Sequence, residues 1–306
     1  MNGPLAGFLV IDKAEGLTSH AVVQLVRRQF RIRRVGHLGT LDPMATGVLP
    51  LAVGRATRLA RFLMGGRKVY EGTIQLGLTT DTYDRLGQPT SEFRQPRLVP
   101  DRLRTAVESM VGVQMQAPPP YSAKKIGGRR AYRLARQGLQ VEIPPQRVNI
   151  HQFKFRQGAA GTIDFEIHCS PGTYVRALAH QLGQKLGCGA HLSRLRRLSS
   201  GKFSLSMACP LLQGRMPQDW PRFLLSMNAM LEDMPGIRVS TEDREAFAHG
   251  RALEARQVPP NQSGAPMIRV LSDSGLLLGL AEPASSRHAG GGGEQGAVRL
   301  LPKLVL

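Results

Sequence analysis

Gly36-His37-Leu38-Gly39-Thr40-Leu41-Asp42-Pro43-Met44-Ala45-Thr46-Gly47-Val48-Leu49-Pro50 holds a single carboxylate, Asp42, in a stretch dense with glycine, proline and threonine. Glycine lets backbone pass close to a ligand, and Pro43 fixes the turn after the acid. Arg33 and Arg34 stand just before the stretch, and Arg55, Arg58 and Arg61 just after it. A lone acid on a shaped loop in basic surroundings suits a reactive group that meets a polyanion. An Asp-Pro pair is also a common turn former, so the residues alone leave a plain turn acid as the alternative.

The wider composition points the same way. Of 306 residues, 41 are Lys or Arg and 22 are Asp or Glu, a formal charge of +19. Such an excess favours a polyanionic partner, because releasing condensed counterions drives basic proteins onto nucleic acid. A membrane surface is disfavoured: the chain has no long basic amphipathic helix and no apolar run of about 18 residues. The run Phe8-Leu9-Val10-Ile11 is cut off by Asp12 and Lys13, so no signal peptide is read and a cytoplasmic location is expected. Cys169, Cys188 and Cys209 form no C-x-x-C pair, and the eight histidines form no H-E-x-x-H. Neither a disulfide framework nor a zinc site is expected.

Apolar periodicity outlines the elements. Gly7 to Ile11 reads as a buried strand. Thr18 and Ser19 are candidate caps for a helix over His20 to Phe30. A short helix is expected over Thr57 to Leu63, a strand over Tyr70 to Leu76, and a helix over Asp101 to Val111. Ile163, Phe165 and Ile167 alternate as a half-buried strand, and Gly172 to Leu186 reads as a helix. Interspersed helices and antiparallel strands make the fold class α+β.

Two segments are basic without an acid. Lys124 to Arg136 carries Lys124, Lys125, Arg129, Arg130, Arg133 and Arg136. From Ile167 to Gln218, Arg176, Lys185, Arg194, Arg196, Arg197, Lys202 and Arg215 accumulate. Together they read as a phosphate-tracking surface, and any one of them as an ordinary solvated charge. Composition shifts between Pro221 and Pro235, and beyond it Met267–Leu271, Leu276–Leu280 and Ala297–Leu301 are strand-like. Gly291, Gly293 and Gly296 have G-x-G-x-x-G spacing, but no helix follows, so a loop is expected there and no dinucleotide site.

For one carboxylate facing RNA, a glycosidase would need a second carboxyl group about 5 to 10 Å away. A nuclease would want a metal-binding acid cluster. What remains is chemistry in which a single carboxylate acts as nucleophile or base without a cofactor, and isomerisation at a glycosidic bond is such a reaction.

The stretch from Gly36 to Pro50 resembles the signature of the TruB family of tRNA pseudouridine synthases. Further matching residues are Asp12-Lys13 with Gly16 and Thr18-Ser19, and Thr80-Asp81-Thr82 with Asp84 and Gly87. Pro119, Tyr121-Ser122-Ala123-Lys124 with Gly128 and Tyr132, and Gly172-Thr173-Tyr174-Val175-Arg176 follow. Gly187-Cys188-Gly189-Ala190-His191 and Leu195-Arg196-Arg197-Leu198 complete the match, which covers residues 7 to 210. Ala14 and Leu38 depart from the pattern, standing where a proline and a smaller or polar residue are common.

The resemblance implies a mixed, mainly antiparallel pseudouridine synthase sheet flanked by helices over residues 1–235, with a thumb-like insertion near 118–137. Residues 236–306 would form a small β-rich PUA-like RNA-binding domain. Asp42 would be the catalytic aspartate and Arg176 would pair with it. Tyr70 and Leu195 would lie against a flipped-out uridine, and Tyr174 would shape the pocket. His37 would hold rearranged loop nucleotides, and Lys13 would support the cleft. The expected partner is the T stem-loop of tRNA, modified at position 55 by a monomer that needs no cofactor. Taken singly, Tyr70 and Leu195 fit a core, Tyr174 fits helix packing, Arg176 fits a phosphate contact, and His37 and Lys13 fit ordinary loop roles. Two other functions stay open: an RNA chaperone that refolds the T loop, and an RNA-guided synthase.

Overall fold

The computed structural model describes residues 5–96, 99–122, 124–131, 137, 143–211, 215–255, 267–284 and 298–306. Residues 123 and 132–136 of the expected thumb and its basic block, and the glycine-rich loop at 291–296, lie outside these residues. The chain divides into two compact units, one of Leu9–Leu51 and Arg61–Phe223, the other of Met1–Phe8, Ala52–Ala60 and Leu224–Leu306.

The strands up to residue 210 are β1 (Gly7–Lys13), β2 (Val35–His37), β3 (Thr46–Val53), β4 (Lys68–Leu76) and β5 (Gly112–Gln116). After the hairpin β6 (Lys125–Ile126) and β7 (Arg129–Arg130) come β8 (Gln146–Gln157), β9 (Thr162–Cys169), β10 (Ala190–Ser200), β11 (Phe203–Ser204) and β12 (Ala208–Pro210). The helices here are α1 (Ser19–Phe30), α2 (Ala60–Leu63), α3 (Pro100–Glu108) and α4 (Val175–Leu186). The main sheet runs in the order β12-β1-β3-β10-β4-β9-β8-β5. β4 pairs antiparallel with β10 and β9, β8 with β9 and β5, while β10 and β3 run parallel. The fold is α+β with a mainly antiparallel sheet, as the periodicity indicates.

Local sequence accounts for most of these elements. In β4 the residues alternate, with Lys68, Tyr70, Gly72, Ile74 and Leu76 turned to the buried side. The Thr18 hydroxyl accepts from the Ala21 N–H at 3.0 Å and caps α1, whose Val22, Val23 and Val26 are buried. Ser19 lies inside the helix instead of capping it.

Three readings need correction. Thr46 to Pro50 is strand rather than loop: from Gly47 to Val53 every residue is buried, as expected for a strand covered on both faces. Helix α4 starts at Val175 and not at Gly172, because Gly172 is a left-handed turn residue (φ 84°). The acid-free stretch from Ile167 is not simply a surface for phosphates. Arg176 and Arg197 are only 5% and 1% exposed, and Arg196 forms a two-pronged ion pair with Asp12 (3.0 and 2.7 Å).

The second unit contains a five-stranded sheet in the order Gly236–Val239, Ile268–Ser272, Leu277–Pro283, Val298–Val305, Leu253–Ala255. Its core gathers Val239, Phe247, Leu253, Ile268, Val270, Ala281 and Leu300. Helix Thr241–Ala248 supplies Phe247 and is capped by Ser240, whose hydroxyl accepts from the Asp243 N–H. Among the described residues no helix is long and apolar enough to cross a membrane.

Gly47 is the tightest of the three glycines within the signature stretch. Its φ is +95°, and a Cβ there would stand 2.3 Å from the Arg197 carbonyl oxygen and 2.9 Å from the Arg197 nitrogen. Both atoms belong to the paired strand β10 and cannot yield cheaply. Gly47→Ala is expected to lower the unfolding free energy by about 2–4 kcal/mol, measured by urea denaturation, through strain and loss of the β3–β10 pairing.

Candidate active site

Arg176, two residues into α4, is the hub. Its Nε and Nη2 donate to the two Asp42 carboxylate oxygens at 2.8 and 3.0 Å, a bidentate pair. Nη1 donates to the Thr82 carbonyl (2.8 Å) and Nη2 also to the Tyr121 carbonyl (3.1 Å). Asp84 Oδ2 lies 3.6 Å from Nε, while Oδ1 accepts from the Thr82 hydroxyl (2.8 Å) and the Leu86 N–H (3.0 Å). A nearly buried guanidinium thus has acceptors from three distant chain segments. Removing one partner of such a pair typically costs about 3–5 kcal/mol.

The turn carrying Asp42 is held from both sides. Ser19 Oγ accepts from the Leu41 N–H (2.8 Å) and donates to the Leu41 carbonyl (3.0 Å). Fully buried Lys13 lies below, its Nζ donating to the carbonyls of Ala14 (2.9 Å), Leu17 (2.7 Å) and Pro43 (3.3 Å). Burial lowers the Lys13 pKa to about 8, against a smaller opposing pull from Asp42 and Glu15. Leu38, also buried, donates its N–H to the Pro50 carbonyl (2.8 Å), so the departure from the family pattern is packed away.

Above Asp42, which is 32% exposed, opens a cavity of about 280 Å³. Its walls include Leu38, Tyr70, Tyr174, Leu195, Lys68 and Arg197. Cross-strand register places several of these. Tyr70 on β4 faces Arg197 on β10, and Lys68 faces Ser200. Lys68 Nζ donates to Ser200 Oγ (2.8 Å) and to the Met64 carbonyl (3.1 Å). Arg197 donates to the carbonyls of Val48 (2.7 Å), Gly39 (3.1 Å) and Thr40 (3.3 Å) and hydrogen-bonds the Tyr70 hydroxyl.

Burial raises the Tyr70 pKa above its ordinary value, outweighing the opposing pull of Arg197, so the phenol is neutral at pH 7. Lys68 is lowered to about 8 by burial and then by Arg197, and Cys169 is pushed up to about 11 by burial. That thiol is a poor nucleophile. Tyr174 sits at the cap of α4, where the Gln116 side chain accepts from its N–H (2.8 Å) and donates to its carbonyl (3.1 Å). Among the described residues no three His, Cys, Asp or Glu side chains converge as a metal site.

The family model described as TruB family pseudouridylate synthase, N-terminal domain, matches residues 27–175, and that for the tRNA pseudouridylate synthase B C-terminal domain matches 176–213. The tRNA pseudouridine synthase B of Solibacter usitatus is 42% identical over 90% of this chain and 95% of its own length. That of Syntrophotalea carbinolica is 40% identical over 93% and 95%. This chain belongs to the TruB family of pseudouridine synthases.

As a family member it is an isomerase, and its fold is shared with more distant structures. A crystal structure of a Cbf5-Nop10-Gar1 complex superimposes with a TM-score of 0.67 at 22% identity, covering 98% of this chain and 84% of the other. An H/ACA RNP bound to a substrate RNA containing 2′-deoxyuridine gives 0.65 at 21% identity, covering 97% and 84%.

Of the residues singled out by the TruB resemblance, Asp42, Tyr70, Tyr174, Arg176 and Leu195 line one cavity. Lys13 and His37 do not. Lys13 braces the Asp42 turn from below, and His37 closes the half-buried end of β2. Sequence reasoning gave no cavity role to Asp84, Lys68, Arg197 or Gln116, and it read Ser19 as a helix cap rather than a brace for Leu41. Lys68 and Arg197 were findable, since each lies two residues along a strand from a chosen residue (Tyr70 and Leu195) and so shares its face. Gln116 and Ser19 carry no such signal.

Two outcomes follow from this geometry. Arg176→Lys keeps the charge but cannot form the fork, so the single-turnover rate on RNA is expected to fall about a hundredfold or more, with RNA affinity within about threefold. Lys13 has a folded pKa of about 8 against 10.5 unfolded, so the unfolded chain binds more protons between these values. Wild type should therefore gain stability relative to Lys13→Met as pH rises from 8 to 10.5, by up to about 3 kcal/mol, read from urea midpoints at each pH.

Proposed function

We propose that this chain converts uridine to pseudouridine in the T loop of tRNA, position 55 by resemblance, with Asp42 as the reacting carboxylate. The relatives named tRNA pseudouridine synthase B support tRNA as the substrate. One observation carries the role of Asp42: it stands at the cavity wall, held by both oxygens on buried Arg176, beneath Tyr70 and Leu195. That wall accepts a base extruded from its stack, and ring and side-chain contacts offset the unstacking cost of a few kcal/mol.

In the reaction the N1–C1′ bond breaks, the uracil turns, and C5 bonds to C1′. The C5 proton leaves, N1 gains a proton, and no atom is added overall. Asp42 acts either by attacking the sugar or by removing a sugar proton, and both need the carboxylate fixed at one edge of the ribose. Arg176 supplies that orientation. Tyr70 packs on the base, with Arg197 steering its hydroxyl, and Leu195 supplies the apolar floor. Tyr174 shapes the entrance, Lys13 braces the Asp42 turn, and His37 contacts nucleotides of the opened loop. No cofactor takes part. The chain works as a cytoplasmic monomer, with a PUA-like RNA-binding domain over 236–306 and a thumb near 118–137 gripping the stem.

The test is pseudouridine formation in an unmodified T-stem-loop RNA with chelator present, wild type beside Asp42→Asn. Product is expected from wild type, and a rate at least about a thousandfold lower from the variant. Tight RNA binding without product from wild type would replace this reading with that of an RNA chaperone.

A further inference from the structure

Tyr83 sits between the two residues that meet Arg176 from the loop after β4. Its neighbour Thr82 gives a carbonyl to Arg176 Nη1, and its other neighbour Asp84 turns a carboxylate toward Nε. Tyr83 itself has φ +63°, a left-handed conformation that few non-glycine residues adopt. Such a conformation persists only where the surroundings hold it. Here the left-handed residue is what lets the carbonyl before it and the carboxylate after it converge on one guanidinium.

The Tyr83 ring lies flat on the ring of His180, with centroids 3.9 Å apart and planes 9° from parallel. His180 is four residues after Arg176 in α4, so both project from the same helix face. One helix face therefore grips the Thr82–Asp84 turn twice: by charge through Arg176 and by ring contact through His180. Backbone pairing holds the turn from behind, where the Tyr83 carbonyl accepts from the Leu192 N–H (3.0 Å) and the Tyr83 N–H donates to the Thr80 carbonyl (3.2 Å). His180 Nδ1 is buried and has no hydrogen-bond partner among the described residues, so the ring face is what this side chain contributes. Burial also holds the imidazole below its ordinary pKa of 6.5, which keeps the ring neutral.

The geometry points to the Tyr83–His180 stack as a positioning device for the reaction: it locks the strained turn so that Thr82 and Asp84 aim Arg176, and through it Asp42, at the substrate. Neither ring lines the cavity, so both act through Arg176 and neither is a catalytic residue. A small rotation of the guanidinium would swing the carboxylate away from the ribose, and misplacement by about 1 Å can cost a hundredfold in rate.

This inference rests on the function proposed above, and its test separates the two. Single-turnover pseudouridine formation on the T-stem-loop RNA is measured at saturating enzyme for wild type, Tyr83→Ala, His180→Ala, His180→Phe and the double alanine variant. RNA dissociation constants and melting temperatures are recorded alongside, and rates are taken well below the lowest melting temperature. Each single alanine variant is expected to lower the rate about tenfold, with RNA affinity within about twofold. The double variant should be no slower than the singles, because one contact is removed in each case. His180→Phe keeps a flat ring and should return to within about twofold of wild type. Wild-type rates in either alanine variant, a loss confined to RNA affinity, or a loss that phenylalanine does not restore would each overturn the inference. Wild type without product would instead sink the proposed function, and this inference with it.

Discussion

Everything at the site depends on one buried guanidinium. A charge taken out of water must find acceptors for its N–H groups, and Arg176 finds them on Asp42, Thr82 and Tyr121, with Asp84 close behind. Because those acceptors lie on separate stretches of chain, the arginine does more than hold one acid. It fixes the signature turn, the loop after β4 and the segment before the β6–β7 hairpin to the start of one helix. Lysine could supply the charge but not the planar set of donors.

Strand β10 has a matching role on the other side of the cavity. It carries Leu195 and Arg197 on one face and pairs with both β3 and β4. Arg197 lies below the cavity, bonded to carbonyls of the signature stretch and to Tyr70. Two arginines of this basic chain thus spend their charge inside the fold, and a third, Arg196, on Asp12. The net +19 already cancels the Arg176–Asp42 and Arg196–Asp12 pairs, but it does not say which cations are buried, so net charge is a guide to partners and not a map of where they bind.

How much of this the sequence disclosed depends on the range over which each interaction acts. The strand at Tyr70, helix α1 and its Thr18 cap, and the strands of the second unit follow from local alternation and spacing, and they were legible. Asp42 was legible because glycine and proline around a lone acid are unusual, and the other cavity residues because a long family signature names them together. The β3 strand was missed because its glycine and proline read as loop, although pairing with β10 and burial on both sides decide the matter. Strand β10 itself was hidden because its arginines looked like a solvated face. Ser19 and Gln116 contribute through paired hydrogen bonds to Leu41 and Tyr174, and Asp84 through its approach to Arg176, all between residues far apart in the chain, and no local pattern records such a contact.

The parallel pairing of Thr46–Gly47 with Arg196–Arg197 has a consequence for how the molecule comes into being. Pairing strands across so long a separation is slow, since the loop must close before the contact rewards it. A chain emerging from the ribosome holds the signature turn early but lacks the strand that supports it until residue 200 has been made. The cavity walls are therefore complete only once residues as late as Arg197 have been made. A fragment ending before residue 190 carries Asp42 and Tyr70 but lacks Arg197, which pairs opposite Tyr70, and Leu195 of the cavity wall.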